Sequence, residues 1–433
     1  MKKISTRAVS VLLLAVLVIV GLNVYVLHYI SDGRRWALSF ARLNSESTGA
    51  IEDRNGVKLA LFDAEHSYFN ADLETRLANY HVTGDFWGRT GTGLLSAYWA
   101  NAQAFSLLTG TTHAQNTVLK LSIDASLNAV AHRALGEQIG AAMLMNYRTG
   151  EVLAMVSTPT IDPAAPNAVP APGAFINRCL SAAYTPGSIF KLVTAAAALE
   201  QLPNMYTDTF YCEGSYEVAG VTISCTRPHG LQTFEQALSN SCNVCFSQFA
   251  IRLGQERLLG YVRAFGLLDR QKLDVLNCVA GSFPTEFVGD PELGWAGVGQ
   301  SLDTVCPYAM LRYVAAIANG GVLVEPTLLR RDTPGAETRL LEVTTANALR
   351  WMMNFTVAGH YGSENFPGLN LCAKTGTAER GDGSNNAWFV GFLDDEAHPY
   401  AFVVVVENAA YGITDAAPIA NRILQAAVTT IEE

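Results

Sequence analysis

The sequence predicts an α/β (α+β) protein with one large body, a small N-terminal pedestal and one transmembrane helix. Three observations predict it: a long apolar run near the start, strand-like alternation towards both ends of the remainder, and helix-forming stretches between those ends. The chain has 433 residues, enough for two or three domains. Only 16% of them are charged and the net charge is −10, which suits a compact body and argues against a nucleic-acid partner.

The first predicted element is a membrane anchor. Three basic residues within positions 1–7 precede an apolar run from Ala8 to about Leu27, close to the length that a spanning helix needs. The run is longer than the apolar core of a signal peptide, and no good cleavage site follows it. We therefore predict a cytoplasmic tail at 1–7 and a single-pass helix at 8–28. No other run of that length occurs, so residues 35–433 are expected on the outer side.

A pedestal domain is predicted at residues 29–115, before the larger domain at 116–433. Gly49–Ala60 holds two short alternating runs joined by an Asn-Gly pair, which is a strong hairpin signal. A stretch rich in Gly, Thr and aromatic residues follows, with a predicted helical segment at 94–107. This part of the chain has no evident catalytic pattern.

The larger domain is predicted to carry strands at both ends of its sequence and helices between them. Strands are predicted at 118–123, 141–145, 151–157, 371–377, 387–393 and 400–407. Helices are predicted at 125–136, 188–202, 234–253, 308–318 and 417–429. Because strand segments lie far apart in the chain, we expect distant segments to complete one sheet.

The first candidate catalytic residue is Ser188, which follows a Pro-Gly pair at the start of a strongly helix-forming stretch. Lys191 lies three residues later, so the two side chains share one helix face. A deprotonated lysine amine at that spacing can take the seryl proton, and the helix N-terminus favours a nearby oxyanion. An N-cap serine beside a solvated lysine would give the same pattern, so this motif alone is weak.

A Ser-x-Asn motif supplies the second pair of candidates, Ser241 and Asn243. The triplet occurs four times, beginning at Ser126, Ser241, Ser363 and Ser384. We select Ser241 because it lies between the other two motifs, in an apolar helix-forming stretch that a Thr233–Gln236 capping box opens.

The third motif is Lys374-Thr375-Gly376-Thr377, the only Lys-Thr-Gly in the sequence. It ends a strand-like run, and a lysine with two hydroxyls on a strand suits an extended peptide that ends in a carboxylate. Lys374 is expected to supply the charge, the two threonines hydrogen bonds, and Gly376 room for a close backbone approach. An ordinary strand end before a turn is the alternative.

The eight cysteines lead to no predicted metal centre. Cys212 and Cys225 flank a short hairpin that could bring them within disulfide distance. Cys242 and Cys245 have the spacing of a redox pair, but small buried residues on a helix are the favoured interpretation. With no second Cys-x-x-Cys and no His cluster, neither a metal nor another cofactor is predicted.

In this order, the three motifs resemble those of class B, monofunctional penicillin-binding proteins. The likeness extends through the segments Gly49–Ala60, Thr149–Pro159, Gly297–Gln300 and Ala387–Phe392. A departure occurs at Gly91–Leu95, which lacks a glutamate that the family usually carries in its pedestal. The resemblance implies a penicillin-recognising serine transpeptidase fold, with a five-stranded antiparallel sheet flanked by helices.

The resemblance also implies the chemistry. Ser188, deprotonated by Lys191, would attack the penultimate D-Ala of a peptidoglycan stem peptide, and an amine of a second stem would resolve the acyl-enzyme. Ser241 would relay a proton to the leaving group, and Asn243 would hold the substrate amide. The backbone N–H groups of Ser188 and Thr377 would form the oxyanion hole. β-Lactams would acylate the same serine.

The same resemblance places the protein in a bacterial cytoplasmic membrane, with its catalytic domain outside and a polytopic glycan polymerase as its partner. A D,D-carboxypeptidase and a β-lactam-binding, non-catalytic scaffold are the alternatives, because both share this fold. The segment between anchor and body is too short for a glycosyltransferase, and no glutamate stands out for the deacylating role that it has in class A β-lactamases.

Overall fold

A computed structural model of the chain describes residues 8–9, 11–27, 49–62, 67–97, 117–165, 167–380 and 383–430. The predicted anchor and pedestal therefore fall partly outside the described residues, and so does the helical segment predicted at 94–107. Residues 11–27 and 94–97 are helical. Within the described ranges, no helix combines the length and the apolar character needed to cross a membrane.

The described elements of regular structure are these. The strands are β1 (Gly49–Glu52), β2 (Lys58–Phe62), β3 (Ser67–Phe69), β4 (Thr117–Lys120), β5 (Gly140–Asn146), β6 (Val152–Thr158), β7 (Phe210–Cys212), β8 (Ser215–Val218), β9 (Val221–Ser224), β10 (Gly230–Gln232), β11 (Lys272–Leu273), β12 (Leu276–Asn277), β13 (Val322–Val324), β14 (Glu337–Arg339), β15 (Leu371–Glu379), β16 (Asn385–Leu393) and β17 (Tyr400–Glu407). The labelled helices are α1 (Leu73–Thr83), α2 (Ala125–Leu135), α3 (Arg178–Ser181), α4 (Lys191–Gln201), α5 (Phe234–Ser239), α6 (Asn243–Leu253), α7 (Gln255–Ala264), α8 (Asp290–Val298), α9 (Pro307–Ala318), α10 (Val343–Thr356) and α11 (Ala417–Thr430).

A five-stranded antiparallel sheet forms the centre of the molecule, in the order β15-β16-β17-β5-β6. Its strands come from two distant parts of the chain, residues 140–158 and 371–407, so the prediction that distant segments complete one sheet is confirmed. Alternate residues of β5 belong to two apolar clusters: Ala141 and Met143 pack on one side, and Ala142 and Leu144 on the other. Both faces are thus covered, which explains why these strands are apolar almost throughout.

The two faces are covered by different helices. Helices α2 and α11 contribute to one cluster, and helices α4, α6 and α9 contribute to the other. The side with α4 carries the serine motif. One edge strand of the sheet is β15, which carries the Lys-Thr-Gly motif.

The predicted hairpin at Gly49–Ala60 is present as β1 and β2, and its turn is attached to the large domain. The Asp53 carboxylate accepts hydrogen bonds from the backbone N–H groups of Asn55 and Val57, both at 2.8 Å, and from that of Ala125 at 3.0 Å. Asn55 donates in turn to Asp124, the N-cap of α2, at 3.0 Å. Strand β1 also pairs in parallel with β4.

Two predicted helices differ from the structure in a way that matters for the site. The helix predicted at 234–253 is two helices, α5 and α6, because the chain turns at Asn240–Cys242. Ser241 lies there with φ 53°, a left-handed conformation that cannot continue a helix. The helix predicted from Ser188 begins with a 3-10 turn at Gly187–Phe190 before α4.

We predict that Asp53→Ala lowers the free energy of unfolding by about 2–3 kcal/mol, because backbone N–H groups at a buried junction lose their acceptor. Denaturant unfolding of the two proteins measures the difference. The control is Lys58→Ala in the same hairpin, whose exposed side chain should change stability by less than about 0.5 kcal/mol. Equal effects of the two substitutions would show that the Asp53 contacts do not hold the hairpin to the body.

Candidate active site

The turn that carries Ser188 packs between strand β15 and the loop at Gly299. Gly187 has φ +56°, and a Cβ there would lie 2.5 Å from the carbonyl oxygen of Thr377. Its N–H donates to the Gly299 carbonyl at 2.9 Å. The next residue, Ser188, remains partly exposed, whereas Ile189 is buried beneath it. The glycine therefore permits the serine turn to touch β15 directly, which only a residue without a side chain allows.

The Lys191 amine lies at the centre of the site. Its Nζ is 2.9 Å from the Ser188 hydroxyl, 2.7 Å from the Ser241 carbonyl oxygen and 2.7 Å from Asn243 Oδ1. The Ser241 hydroxyl is 3.1 Å away. The carbonyl oxygen and Oδ1 can only accept hydrogen bonds, so they take two N–H bonds of the amine. In a neutral amine, the lone pair is then left for the Ser188 proton.

The surroundings of Lys191 favour that neutral form. Its side chain is fully buried, and burial lowers the pKa of Lys191 from 10.5 to about 7, against a smaller opposing effect of the Cys225, Cys242 and Cys245 thiols. No carboxylate is among the groups that shift it. A buried amine without a counter-ion loses its proton readily, which is what a general base requires.

Ser241 connects the two lysines of the site. Its hydroxyl lies 3.1 Å from Lys191 Nζ and 3.1 Å from Lys374 Nζ. The left-handed backbone of Ser241 also turns its carbonyl towards Lys191. A residue with an unfavourable backbone conformation thus lies within the site itself. A hydroxyl between two amines can receive a proton from one neighbour while donating its own.

Both polar atoms of the Asn243 side-chain amide have hydrogen-bond partners. Nδ2 donates to the Ser224 carbonyl at 3.0 Å, and this contact fixes Oδ1 towards Lys191. The residue is only half-buried, and its amide nitrogen has a second N–H. Asn243 thus positions the lysine and keeps a donor that a substrate carbonyl could use.

The Lys-Thr-Gly motif lies on β15 beside the serine turn. Burial lowers the pKa of Lys374 well below 10.5, and the positive charge of Lys191 lowers it further. Two charged amines on either side of one hydroxyl would repel each other, which is the physical reason for the second effect.

The room that Gly376 leaves on its inner side is occupied by the serine turn, so a close backbone approach is made there within the protein. A Cβ at this position would lie 2.7 Å from the Pro186 carbonyl oxygen and 3.1 Å from the Ile189 side chain. The missing side chain therefore lets the strand pack on the serine turn.

The two threonines of the motif have partners that sequence reasoning missed. The Thr375 hydroxyl lies 2.9 Å from the Tyr361 hydroxyl, which also accepts the Thr375 N–H at 2.9 Å. Gln300 donates from Nε2 to the Thr377 carbonyl at 3.0 Å. Gln300 ends a glycine-rich segment that the resemblance had singled out, whereas nothing in the sequence marked Tyr361.

The eight cysteines are all free thiols, so the disulfide considered for Cys212 and Cys225 is not formed. Both lie instead in a cluster with His229 and Cys242, beside the Ser-x-Asn turn. The sequence did not suggest this cluster, because its members come from separate turns and strands and not from a paired Cys-x-x-Cys motif.

Comparison with known proteins agrees with this geometry. The family model described as the penicillin binding protein transpeptidase domain matches residues 140–425. Stage V sporulation protein D of Bacillus subtilis is 32% identical over 341 residues, which are 71% of this chain and 53% of that protein. The chain thus spans about half of the length of this relative.

Solved structures share the fold. The D,D-transpeptidase domain of a peptidoglycan glycosyltransferase from Eggerthella lenta is 26% identical with a TM-score of 0.74, over 89% of this chain and 99% of that one. The penicillin G acyl-enzyme complex of penicillin-binding protein A from M. tuberculosis is 25% identical with a TM-score of 0.75, over 89% of this chain and 100% of that one. The chain belongs to the family of penicillin-binding proteins with a transpeptidase domain.

Proposed function

We propose that the chain is a serine-type D-Ala-D-Ala transpeptidase, which cross-links peptidoglycan stem peptides through a Ser188 acyl-enzyme. The observation that carries the proposal is the 2.9 Å contact between the buried Lys191 amine and the Ser188 hydroxyl. Family membership supports the reaction class. The solved penicillin G acyl-enzyme complex of penicillin-binding protein A from M. tuberculosis supports acylation by β-lactams.

In the acylation step, Ser188 Oγ bonds to the carbonyl carbon of the penultimate D-Ala while its proton passes to neutral Lys191. The backbone N–H groups of Ser188 and Thr377 are proposed to bind the oxyanion, because Gly187 brings those two backbones into contact. One such donor is typically worth about 3–4 kcal/mol in the transition state.

The second half of the step needs a proton on the departing amine. The Ser241 hydroxyl can donate its proton to the nitrogen of the terminal D-Ala and take one from a lysine amine in exchange, at 3.1 Å on either side. The bond between the two D-Ala residues then breaks. An amine of a neighbouring stem next forms an amide bond with the ester carbonyl carbon, and the ester bond to Ser188 Oγ breaks. The proton that this amine loses passes through Lys191 to Ser188 Oγ, which restores the serine.

Substrate binding is assigned to the remaining motif residues. Lys374, Thr375, Gly376 and Thr377 lie on one stretch of β15, where an extended peptide with a terminal carboxylate can align. An arriving carboxylate would raise the lowered pKa of Lys374 again, so the buried amine would take up a proton as the substrate binds. The free N–H of Asn243 would donate to the peptide carbonyl.

We also propose that residues 8–28 anchor the chain in the bacterial cytoplasmic membrane, with residues 1–7 inside and the pedestal (29–115) and catalytic domain (116–433) outside. The support is the predominantly apolar run, whose leucine and valine side chains are exposed along residues 11–27. A polytopic glycan polymerase remains the proposed partner. No cofactor takes part in the proposed acyl transfer itself.

We predict that incubation with benzylpenicillin adds the mass of one intact penicillin to the protein and adds none to Ser188→Ala. Intact-mass spectrometry of residues 35–433 measures both. Because no water-activating group is assigned in the site, the adduct should persist. A short-lived adduct would indicate a β-lactamase. The absence of any adduct on a folded protein would contradict the catalytic proposal and favour the non-catalytic scaffold.

The carboxypeptidase alternative is tested separately with a stem peptide and an acceptor amine. We expect the cross-linked dimer to form, as liquid chromatography with mass detection shows. Release of the terminal D-Ala without any dimer would favour the D,D-carboxypeptidase.

We predict that Lys191→Met slows acylation by about 10²–10⁴-fold, the usual contribution of a general base. Methionine fills a similar volume but cannot take the Ser188 proton. Stopped-flow acylation by a chromogenic cephalosporin measures the rate, and circular dichroism checks the fold. Lys120→Met, an exposed lysine outside the site, is the control. An unchanged rate in a folded Lys191→Met protein would exclude Lys191 as the base.

A further inference from the structure

Four side chains beside the Ser-x-Asn turn form a compact set of metal-ligand atoms. Cys212, Cys225, His229 and Cys242 each offer one such atom, and the four atoms lie within 4.8 Å of one another. Cys212 and Cys242 are fully buried, and the other two are partly buried. Three sulfur atoms and one imidazole nitrogen are a ligand set that zinc favours.

Two distances within the cluster, both from Cys225 Sγ, match those of a tetrahedral zinc site. Cys225 Sγ lies 3.8 Å from Cys242 Sγ and 3.5 Å from His229 Nδ1. With metal–sulfur bonds of about 2.3 Å and metal–nitrogen bonds of about 2.0–2.1 Å, two sulfur ligands of a tetrahedral ion lie about 3.8 Å apart, and a sulfur and a nitrogen about 3.5 Å apart. Together with the 4.8 Å limit on all four atoms, these two distances suit ligands that share one ion.

Backbone hydrogen bonds hold these four residues in place. The His229 N–H donates to the Cys212 carbonyl at 3.0 Å, and the Cys225 N–H donates to the Gly214 carbonyl at 2.9 Å. The Asn243 N–H, in the first turn of α6, donates to Cys225 Sγ at 3.3 Å. This contact fixes the Cys225 sulfur next to the turn that carries Cys242.

The segment that carries three of the ligands has little apolar packing of its own. Strands β7–β10 form two separate two-stranded sheets, and the β8–β9 hairpin buries only Ile223 among its eight residues. Two-stranded hairpins are marginal in water without further support. A metal ion would supply that support, as it does in other small elements that lack a core.

We propose that Cys212, Cys225, His229 and Cys242 bind one Zn²⁺ ion with tetrahedral geometry, as a structural site. The four protein ligands leave no open position for substrate or water, so the ion takes no part in acyl transfer. Binding requires the three thiols to release their protons. A disulfide between Cys225 and Cys242 would remove two of the four ligands, so Cys212 and His229 alone could not form the tetrahedral site.

The proposed ion would join the β7–β10 segment to the catalytic turn. Cys242 is the middle residue of the motif, between Ser241 and Asn243, and Ser224 next to Cys225 accepts the hydrogen bond that orients Asn243. The ion would thereby hold the Asn243 oxygen against Lys191. Its ligands act as positioning residues, and their loss should affect both stability and acylation.

The test is the metal content of the full chain, purified with its membrane anchor and without added metal or chelator. We expect about one zinc ion per chain by inductively coupled plasma mass spectrometry. Cys212→Ser and His229→Ala should each lose most of the zinc and lower the Tm, on the order of 5–10 °C. Cys245→Ser is the matched control, since Cys245 lies one turn beyond Cys242 on the same helix face and should leave the zinc content unchanged.

A second readout identifies the ligands. Co²⁺ exchanged into the zinc-depleted protein should give the visible absorption of a tetrahedral site with thiolate ligands, and the spectrum should change in His229→Ala. Protein without zinc that also gives no such spectrum with Co²⁺ would overturn the proposal. So would a Cys225–Cys242 disulfide found by peptide mapping, or loss of zinc from Cys245→Ser alone. Metal content is measured without penicillin, so this outcome is independent of the acyl-enzyme test.

Discussion

The site depends on one constraint: a lysine amine is buried where no carboxylate compensates its charge. Lys191 is fully buried, and the nearest groups are two hydroxyls and two oxygen atoms that only accept hydrogen bonds. Transferring a charged amine to such a place is costly, and losing the proton removes that cost. The same burial that destabilises the protonated amine makes the neutral amine available as a base at neutral pH. Its position between Ser188 and Ser241 then decides which protons it can move.

Much of the surrounding fold excludes water from that amine and fixes its position relative to Ser188 and Ser241. The five-stranded sheet brings β15 from the far end of the chain against the serine turn, and the missing side chains of Gly187 and Gly376 permit the contact. On the opposite side, the break between α5 and α6 presents Ser241 and Asn243 to the amine. Three segments that are remote in sequence thus lie within hydrogen-bond distance of one another: backbone packing joins the first two, and hydrogen bonds to Lys191 join the third.

Sequence reasoning predicted the strands of the central sheet well, because β5, β16 and β17 are apolar almost throughout and bounded by clear turns. It missed the break at Asn240–Cys242, because a left-handed residue other than glycine leaves no propensity signal. It expected a close backbone approach at Gly376 but did not identify Pro186 as the partner, since a strand's packing partners cannot be read from its own residues. The Cys/His cluster was missed for a related reason: its ligands meet only through tertiary structure.

The most direct test of the account is the pH dependence of the second-order rate of Ser188 acylation by benzylpenicillin. If burial holds the pKa of Lys191 at about 7, the rate should rise with pH as the amine loses its proton and level off above about pH 8. Lys374 and the thiols of Cys225, Cys242 and Cys245 also face this amine, so the profile is to be repeated with Lys374→Ala, in which the same limb should persist. A rate that keeps rising tenfold per pH unit towards pH 10 would show an ordinary, charged lysine and contradict the account.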